Sequence, residues 1–261
     1  MMSKAPRLIR SIIDFRRHYR QLAAGSLVVG VLPVRPGEDI KMLDLAVRGV
    51  SFFPAVLSQW LSRSKTAQAE VLADFMVPGS FVAYALSDLA GHLSEFQGRG
   101  QVVAKRDRGH LGLGVSLWPE LETLYSLASL QGLIYPIVVQ PFLGAARDLR
   151  VVVVGDYVEA YERLNPRSFR KNLFQGGSSR PFVLTGEIQD FCRRVMARGN
   201  FPYAILDLLL DPADGRPYLS EISFKGGLTG ARISQAEFRE RVAALEEGVI
   251  RQWGSSYKTR P

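Results

Sequence analysis

The chain has 261 residues, 47% of them hydrophobic, with a formal net charge of +8 and a sequence pI near 9.8. That apolar content suffices for one large core or two modest domains sharing an interface, and the cationic surplus implies an anionic partner, for which nucleic acid, nucleotide phosphates and acidic peptides all qualify. One cysteine, Cys192, excludes a disulfide framework or thiolate metal cluster, His18, His92 and His110 lack ligand spacing, and no apolar run approaches the roughly 18 residues needed to cross a bilayer.

Residues 7–22 place Leu8, Ile9, Ile12, Ile13, Phe15 and Tyr19 mostly on one side of a helix, with Arg7, Arg10, Arg17 and Arg20 around it. This basic amphipathic helix is read first as one that docks on the body of the protein. "SLVVGVLPV" reads as a strand and "RPGED" as a loop, while Ile40 to Trp60 shows no clean period. Ala67, Val71, Leu72 and Phe75 form a helical stripe that must end before Pro78, and a strand follows. "ALSDLAGHLSEF" predicts a helix with Ser87 as candidate cap, and "GQVVAKRDRGHLGLGVSLW" a strand, a glycine-rich turn and a strand. Two further strand signals are "LIYPIVVQPFL" and "DLRVVVVGDYVEAYER", the second with a turn at Gly155-Asp156. Thr185 to Gly199 is a helix with Ile188, Phe191, Cys192, Val195 and Met196 on its buried face, which makes Cys192 a core residue. "YAILDLLLDPADGRPYLSEISF" reads as strand, turn, strand. A final helix starts with a Ser234–Glu237 capping box and aligns Phe238, Val242, Leu245, Val249 and Trp253. The pattern predicts an α+β architecture with antiparallel sheets.

Three pieces carry candidate chemistry. Lys105 precedes Gly109, Gly112 and Gly114, which free the backbone to turn N–H groups toward an anion, although the order is not that of a Walker A loop. "ERLNPRSFRKNLFQGG", residues 162–177, packs four cations behind a strand. Asp207 and Glu221 sit on the two arms of a hairpin, where their side chains can converge; as hard oxygen donors they suit Mg2+ better than zinc. Read blandly, these are a solvated lysine, a basic loop and surface acids, but Asp207 within "AILDLLL" has too apolar a setting for a surface acid.

Taken in order, "VVAKRDRGHLGLGV", "IVVQPFLGAARDLRVVVVGD", "ERLNPRSFRKNLFQGG", "LDLLL" and "LSEISFKGG" resemble the ATP-grasp superfamily, most closely its RimK-like branch of glutamate ligases, from about Ser64 to Trp253. The resemblance implies an ATP-grasp fold, two α+β lobes gripping ATP. The expected layout is a basic helix and reduced N-terminal region over residues 1–62, a small lobe over 63–143, and a large lobe over 144–261 with the metal site and C-terminal helix. It implies that Lys65 and Lys105 contact ATP phosphates with Gly112 and Gly114 beside them, and that Gln140, Phe142 and Leu143 form the adenine-binding connection. By the same resemblance Asp148 is expected to serve the ribose or local positioning, Arg163 and Arg170 to face the γ-phosphate and acyl phosphate, Asn172 to shape the acceptor side with Gly176-Gly177, and Asp207, Glu221 and Ser223 to bind the metal. Ser223 departs from the family's Glu-x-Asn pattern, and the N-terminal region is shorter than the usual domain.

The implied function is an ATP- and Mg2+-dependent ligase, with Mn2+ as an alternative metal, that joins a carboxylate to an amine through an acyl phosphate. Its alternatives are a small-molecule kinase on the same scaffold and a nucleotide-binding protein without turnover. Expected partners are an anionic small molecule or peptide and an amine acceptor; the N-terminal helix is expected either to fold across the chain's own cleft or to pack on a second copy of the chain in a homodimer. Nucleic acid is disfavoured, and the absence of a signal-peptide pattern predicts a cytoplasmic location.

Overall fold

The computed structural model describes residues 5–109, 114–171, 173 and 176–258. A first sheet contains β1 (Leu8–Ile9), β2 (Leu27–Val29) and β3 (Ser51–Phe53) in that order, all parallel. Parallel neighbours require crossovers, supplied here by α1 (Ile12–His18) and α2 (Ile40–Val47). The expectation of antiparallel sheets throughout therefore fails for this sheet. So does the single helix over 7–22: Leu8 and Ile9 pair with β2, and α1 begins only after Ser11, whose hydroxyl accepts from the Asp14 N–H at 3.0 Å. Phe15 is buried beneath α1, whereas Ile13 is 65% exposed.

After α3 (Val56–Leu61) and α4 (Lys65–Val71) comes a second sheet of β4 (Phe81–Ala83), β5 (Val102–Arg106), β6 (Val115–Trp118) and β7 (Ile137–Pro141). Its order is β4-β7-β5-β6 and every neighbour is antiparallel. It is backed by α5 (Leu86–Phe96) and α6 (Leu121–Gln131), with Leu89, Val102, Leu124 and Val139 in the shared core. Ser87 is not the cap of α5. The Asp88 carboxylate accepts from the N–H groups of Tyr84 at 2.7 Å and Ala85 at 3.0 Å, so the helix starts earlier and Ser87 falls in its first turn.

A third, antiparallel sheet of β8 (Arg147–Val154), β9 (Tyr157–Leu164), β10 (Ser178–Phe182), β11 (Tyr203–Leu210) and β12 (Pro217–Ser223) runs in the order β10-β9-β8-β11-β12. Gly155 makes the β8–β9 turn at φ 61, a backbone that favours glycine. Beside this sheet lie α7 (Gly186–Gly199) and α8 (Gln235–Lys258). Thr185 caps α7, which ends on Asn200 in the left-handed conformation, one residue past the expected glycine stop. Cys192 is buried on its inner face, where burial pushes the thiol up to about 12. From α8 the Trp253 indole donates to the Gly25 carbonyl at 2.7 Å and Glu247 pairs with Arg10 at 2.8 Å, tying the last helix to the first sheet. No helix among the described residues is long and apolar enough to cross a membrane.

Candidate active site

Side chains from the second and third sheets line one cavity of about 520 Å³. Strand alternation brings them there: Val103 and Lys105 on β5, Asp148 and Arg150 on β8, and Ile205, Asp207 and Leu209 on β11 are each two residues apart, and so share a face. Among the described residues none before Lys65 contributes, and α1 packs on its own sheet rather than across the cavity.

Lys105 is 7% exposed, and its ammonium donates to Gln140 Oε1 at 2.9 Å and Ser220 Oγ at 3.3 Å. Both partners are neutral. Burial therefore pulls the group down to about 8, against the pull of Glu221. Lys65 opens α4, whose cap Ser64 shares the Asp107 carboxylate with Thr66: Asp107 Oδ1 accepts from Ser64 Oγ at 2.6 Å, Thr66 Oγ1 at 2.7 Å and the Thr66 N–H at 3.1 Å. Burial pushes the Asp107 carboxyl up, but these bonds outweigh it and hold it below its ordinary value. The loop after β5 is thereby fastened to the helix carrying Lys65, which donates to the Gly109 carbonyl at 2.9 Å and Glu221 Oε1 at 3.2 Å.

A buried amide sets the spacing between Lys65 and Glu221. Gln68 Nε2 donates to the carbonyls of Leu61 at 2.6 Å and Ile222 at 2.9 Å, and its Oε1 accepts from the Ile222 N–H at 3.0 Å. Gln68→Leu removes the side-chain partner of both Ile222 backbone groups, leaves the Leu61 carbonyl only the Ser64 N–H at 3.3 Å, and is expected to lower stability by ~2–4 kcal/mol in urea unfolding. An unchanged midpoint would show that the amide does not join α4 to β12.

The third sheet supplies a ladder of opposite charges. In register, Arg163 on β9 faces Asp148 on β8, while Asp207 on β11 lies between Arg150 on β8 and Glu221 on β12. Arg150 binds Asp207 through both oxygens at 2.7 and 2.8 Å; Arg163 reaches Asp148 at 2.6 Å and Asp207 at 3.1 Å. Burial raises the Asp207 carboxyl, but the guanidiniums of Arg150 and Arg163 outweigh it and hold it well below the usual carboxylate range. Asp148, with less compensation, is raised by burial. Arg150 also donates to the Gly227 carbonyl at 2.7 Å, pinning the loop after β12.

Other expected site residues are more scattered. Phe142 and Leu143 line the cavity, with the Phe142 N–H already given to the Gln101 carbonyl at 2.9 Å. Arg170 stacks 4.3 Å from the Phe169 ring and donates to the Val115 carbonyl; Phe169 meets Phe142 edge to face at 6.2 Å. Ser223 lines the cavity and donates to the Lys225 carbonyl at 2.9 Å. Gly114 lies at φ 77 beside Arg106 and lines no part of the cavity; nor do Gly176 and Gly177. Gly112, Asn172 and His110 lie outside the described residues.

Sequence reasoning missed Phe169, Lys171, Ser220 and Lys225, all of which line the cavity. All four stand in the same two strings as the expected residues, but strand alternation with Glu221 and Ser223 on the cavity face would turn Ser220 away from it. A register shift between Asp207 and Leu208 leaves it as the extra residue of a bulge, so both it and its neighbour Glu221 reach the cavity against simple alternation.

Residues 62–244 match the RimK-like ATP-grasp domain. The chain belongs to the RimK-like ATP-grasp family. A probable alpha-L-glutamate ligase of Serratia proteamaculans (strain 568) is 30% identical over 175 residues, covering 65% of this chain and 58% of that protein. The chain thus spans under two thirds of this curated relative. D-alanyl-alanine synthetase A from Vibrio cholerae superposes with a TM-score of 0.58 at 13% identity, over 94% of this chain and 99% of that one. The ATP-grasp ligase PsnB, in complex with minimal precursor, Mg and ADP, gives 0.58 at 15% identity over 97% and 98%. These solved structures share the ATP-grasp fold.

For a family whose fold implies nucleotide and metal, the donors here can be weighed directly. Among the described residues no three His, Cys, Asp or Glu side chains gather as a metal site. Asp207 and Glu221 are cross-strand partners with hard oxygens, and the Ser223 hydroxyl follows two residues on. This set fits one hard divalent cation that takes further oxygens from phosphates, provided it competes with Arg150 for Asp207 and with Lys65 for Glu221.

Proposed function

We propose that the chain binds ATP with a divalent metal, Mg2+ or Mn2+, between the lobes at 63–143 and 144–261 and joins a carboxylate to an amine. The observation that carries this reading is the charge of the cavity: among the described residues seven cationic and three acidic ones line it, with aromatic Phe142 and Phe169 together. A polyanion with a flat ring system complements such a surface. Lys65 and Lys105 would meet phosphate oxygens, and Phe142, Leu143 and Gln140 the base. Asp207, Glu221 and Ser223 would hold the metal, which adds positive charge beside the phosphates.

The reaction balances without a protein nucleophile. A substrate carboxylate oxygen attacks the γ-phosphorus and ADP leaves; the amine nitrogen then attacks the acyl carbon, phosphate leaves with the C–O electron pair, and the nitrogen loses its proton. Arg150, Arg163 and Arg170 stabilise charge on the transferred group, so positioning and electrostatics do the catalysis. The relative named as a glutamate ligase supports a carboxylate as one substrate. ADP release should be fastest with acid and amine together; ADP formation dependent on a hydroxyl compound, with a stable phosphoester product, would instead identify a kinase.

The buried ammonium gives a pH signature. Phosphate near Lys105 raises its proton affinity, so binding an ATP analogue near pH 8 should take up a proton and weaken as pH rises further. In the ligand-free chain the sign reverses. Lys105 is lowered on folding, so between about 8 and its ordinary 10.5 the unfolded chain holds the extra proton and stability rises with pH. Calorimetry in buffers of different ionisation enthalpy reads the uptake; binding that is proton-neutral near pH 8 would contradict it.

Asp207 clamped by two arginines, and Ser223 turned to the Lys225 carbonyl, favour one alternative: a site that holds nucleotide without turnover. A large gain in ATP turnover in Ser223→Asn would support it.

A further inference from the structure

A second depression, of about 10 Å³, is lined by Val34, Arg35, Asp39, Trp60, Arg63 and Arg108. Three arginines thus line it beside one acidic residue. Arg63 is half-buried, and its hydrogen bonds go to neutral groups, the carbonyls of Gln59 at 2.9 Å and Leu32 at 3.3 Å. Burial first, then repulsion from Arg108, lowers its proton affinity, while Asp39 acts in the opposite direction. Among the described residues no ion pair joins Arg35 or Arg63 to a carboxylate, and Arg108 reaches only Asp107, at 3.6 Å.

The wall that gathers these charges is fixed. Gln59, fully buried, accepts from the Leu32 N–H at 2.9 Å and donates to the Pro54 carbonyl at 2.8 Å, holding the segment before Arg35 against α3. Like charges held around a gap repel unless an anion joins them. The volume admits about one oxygen atom, so the group that enters projects a single atom rather than a ring. Arg63 and Arg108 stand two and one residues from Lys65 and Gly109, which meet at the Glu221 end of the main cavity. The depression therefore flanks the end where phosphates and substrate would react, on the side of the first sheet.

We propose that Arg35, Arg63 and Arg108 form a recognition niche for an oxyanion, a carboxylate or a phosphoryl group, carried by the substrate that reacts in the main cavity. The substrate's role rests on the reading of that cavity as an ATP-dependent site; the niche itself does not. The test uses the full chain saturated with a non-hydrolysable ATP analogue and Mg2+, so that Lys65 and Lys105 are covered, and titrates inorganic phosphate in one arm and glutarate in the other. Binding of phosphate identifies a phosphoryl group and binding of glutarate a carboxylate. The Arg35→Gln/Arg108→Gln variant should weaken the bound probe by roughly tenfold or more, since charged hydrogen bonds are lost. Arg63 is left in place because it holds backbone carbonyls. Asp39→Asn, which removes the one carboxylate lining the depression, should tighten the probe severalfold and guards against a double variant that fails to fold. Binding of neither probe at tens of millimolar, or binding indifferent to all three substitutions, would overturn the niche. An analogue that fails to bind would strike the reading of the main cavity instead, and the same variants, compared without it, would still decide the niche.

Discussion

Lys105→Met is expected to weaken binding of an ATP analogue about a hundredfold, while changing ligand-free stability by no more than about 1 kcal/mol. The asymmetry follows from the partners of Lys105. In the ligand-free chain its ammonium has only neutral oxygens within hydrogen-bond reach, those of Gln140 and Ser220, and its burial is poorly repaid. Methionine has a similar length and no charge, so relief of that burial offsets the acceptor orphaned on Gln140. With nucleotide present the balance reverses, because a phosphate is then left without its buried cation. Thermal unfolding without ligand and calorimetry with it give the two numbers. A lysine kept for structure alone would show the opposite pattern, a loss of stability with affinity intact.

Asp207→Asn should be the most destabilising of the site substitutions, by ~3–5 kcal/mol, because it leaves the buried guanidiniums of Arg150 and Arg163 facing each other without their shared carboxylate. Arg150→Met in the same chain should recover part of that loss, since the two changes act on one contact and are not additive. The acid limb carries the same signature. Asp207 titrates below its ordinary 3.8 when folded, so its contribution is complete above that value and is lost as pH falls through the lower folded one. Asp148 opposes it: raised on folding, it keeps its proton above the ordinary value, and its contribution fades as pH rises through the folded one. The Asn variant should therefore lose less stability than the parent between neutral and strongly acid pH. Equal losses would show that Asp207 is not the carboxylate the arginines hold.

The parts of the fold legible in the sequence were those whose period is long enough to repeat. In α7 the apolar residues Ile188, Phe191, Cys192 and Val195 recur over 14 residues, and all four are buried. The segment from Ile40 to Trp60 was not legible because α2, β3 and α3 are 8, 3 and 6 residues long, too short for a period to emerge. Leu8 and Ile9 were absorbed into a helical stripe because two residues of strand carry no alternation of their own; their pairing with β2 is a tertiary choice. The hairpin bearing Asp207 and Glu221 could be read from "DPADG", and the register places the pair opposite each other. Its bulge could not, and neither could the capture of Asp207 by Arg150, which depends on β8 lying beside β11 although 57 residues separate the two side chains.

The proposed place of nucleotide and metal is the cavity between the second and third sheets. Calorimetric titration of the full chain with a non-hydrolysable ATP analogue, with and without Mg2+, decides this when run beside the Lys105→Met and Glu221→Gln variants. Glu221 pairs with Lys65 in the ligand-free chain and is the cavity carboxylate least engaged by arginine. One analogue bound per chain is expected, tighter with Mg2+, with the Mg2+ dependence reduced in Glu221→Gln and affinity lost in Lys105→Met. No binding at millimolar analogue, or binding indifferent to both substitutions, would show that this cavity is not a nucleotide site.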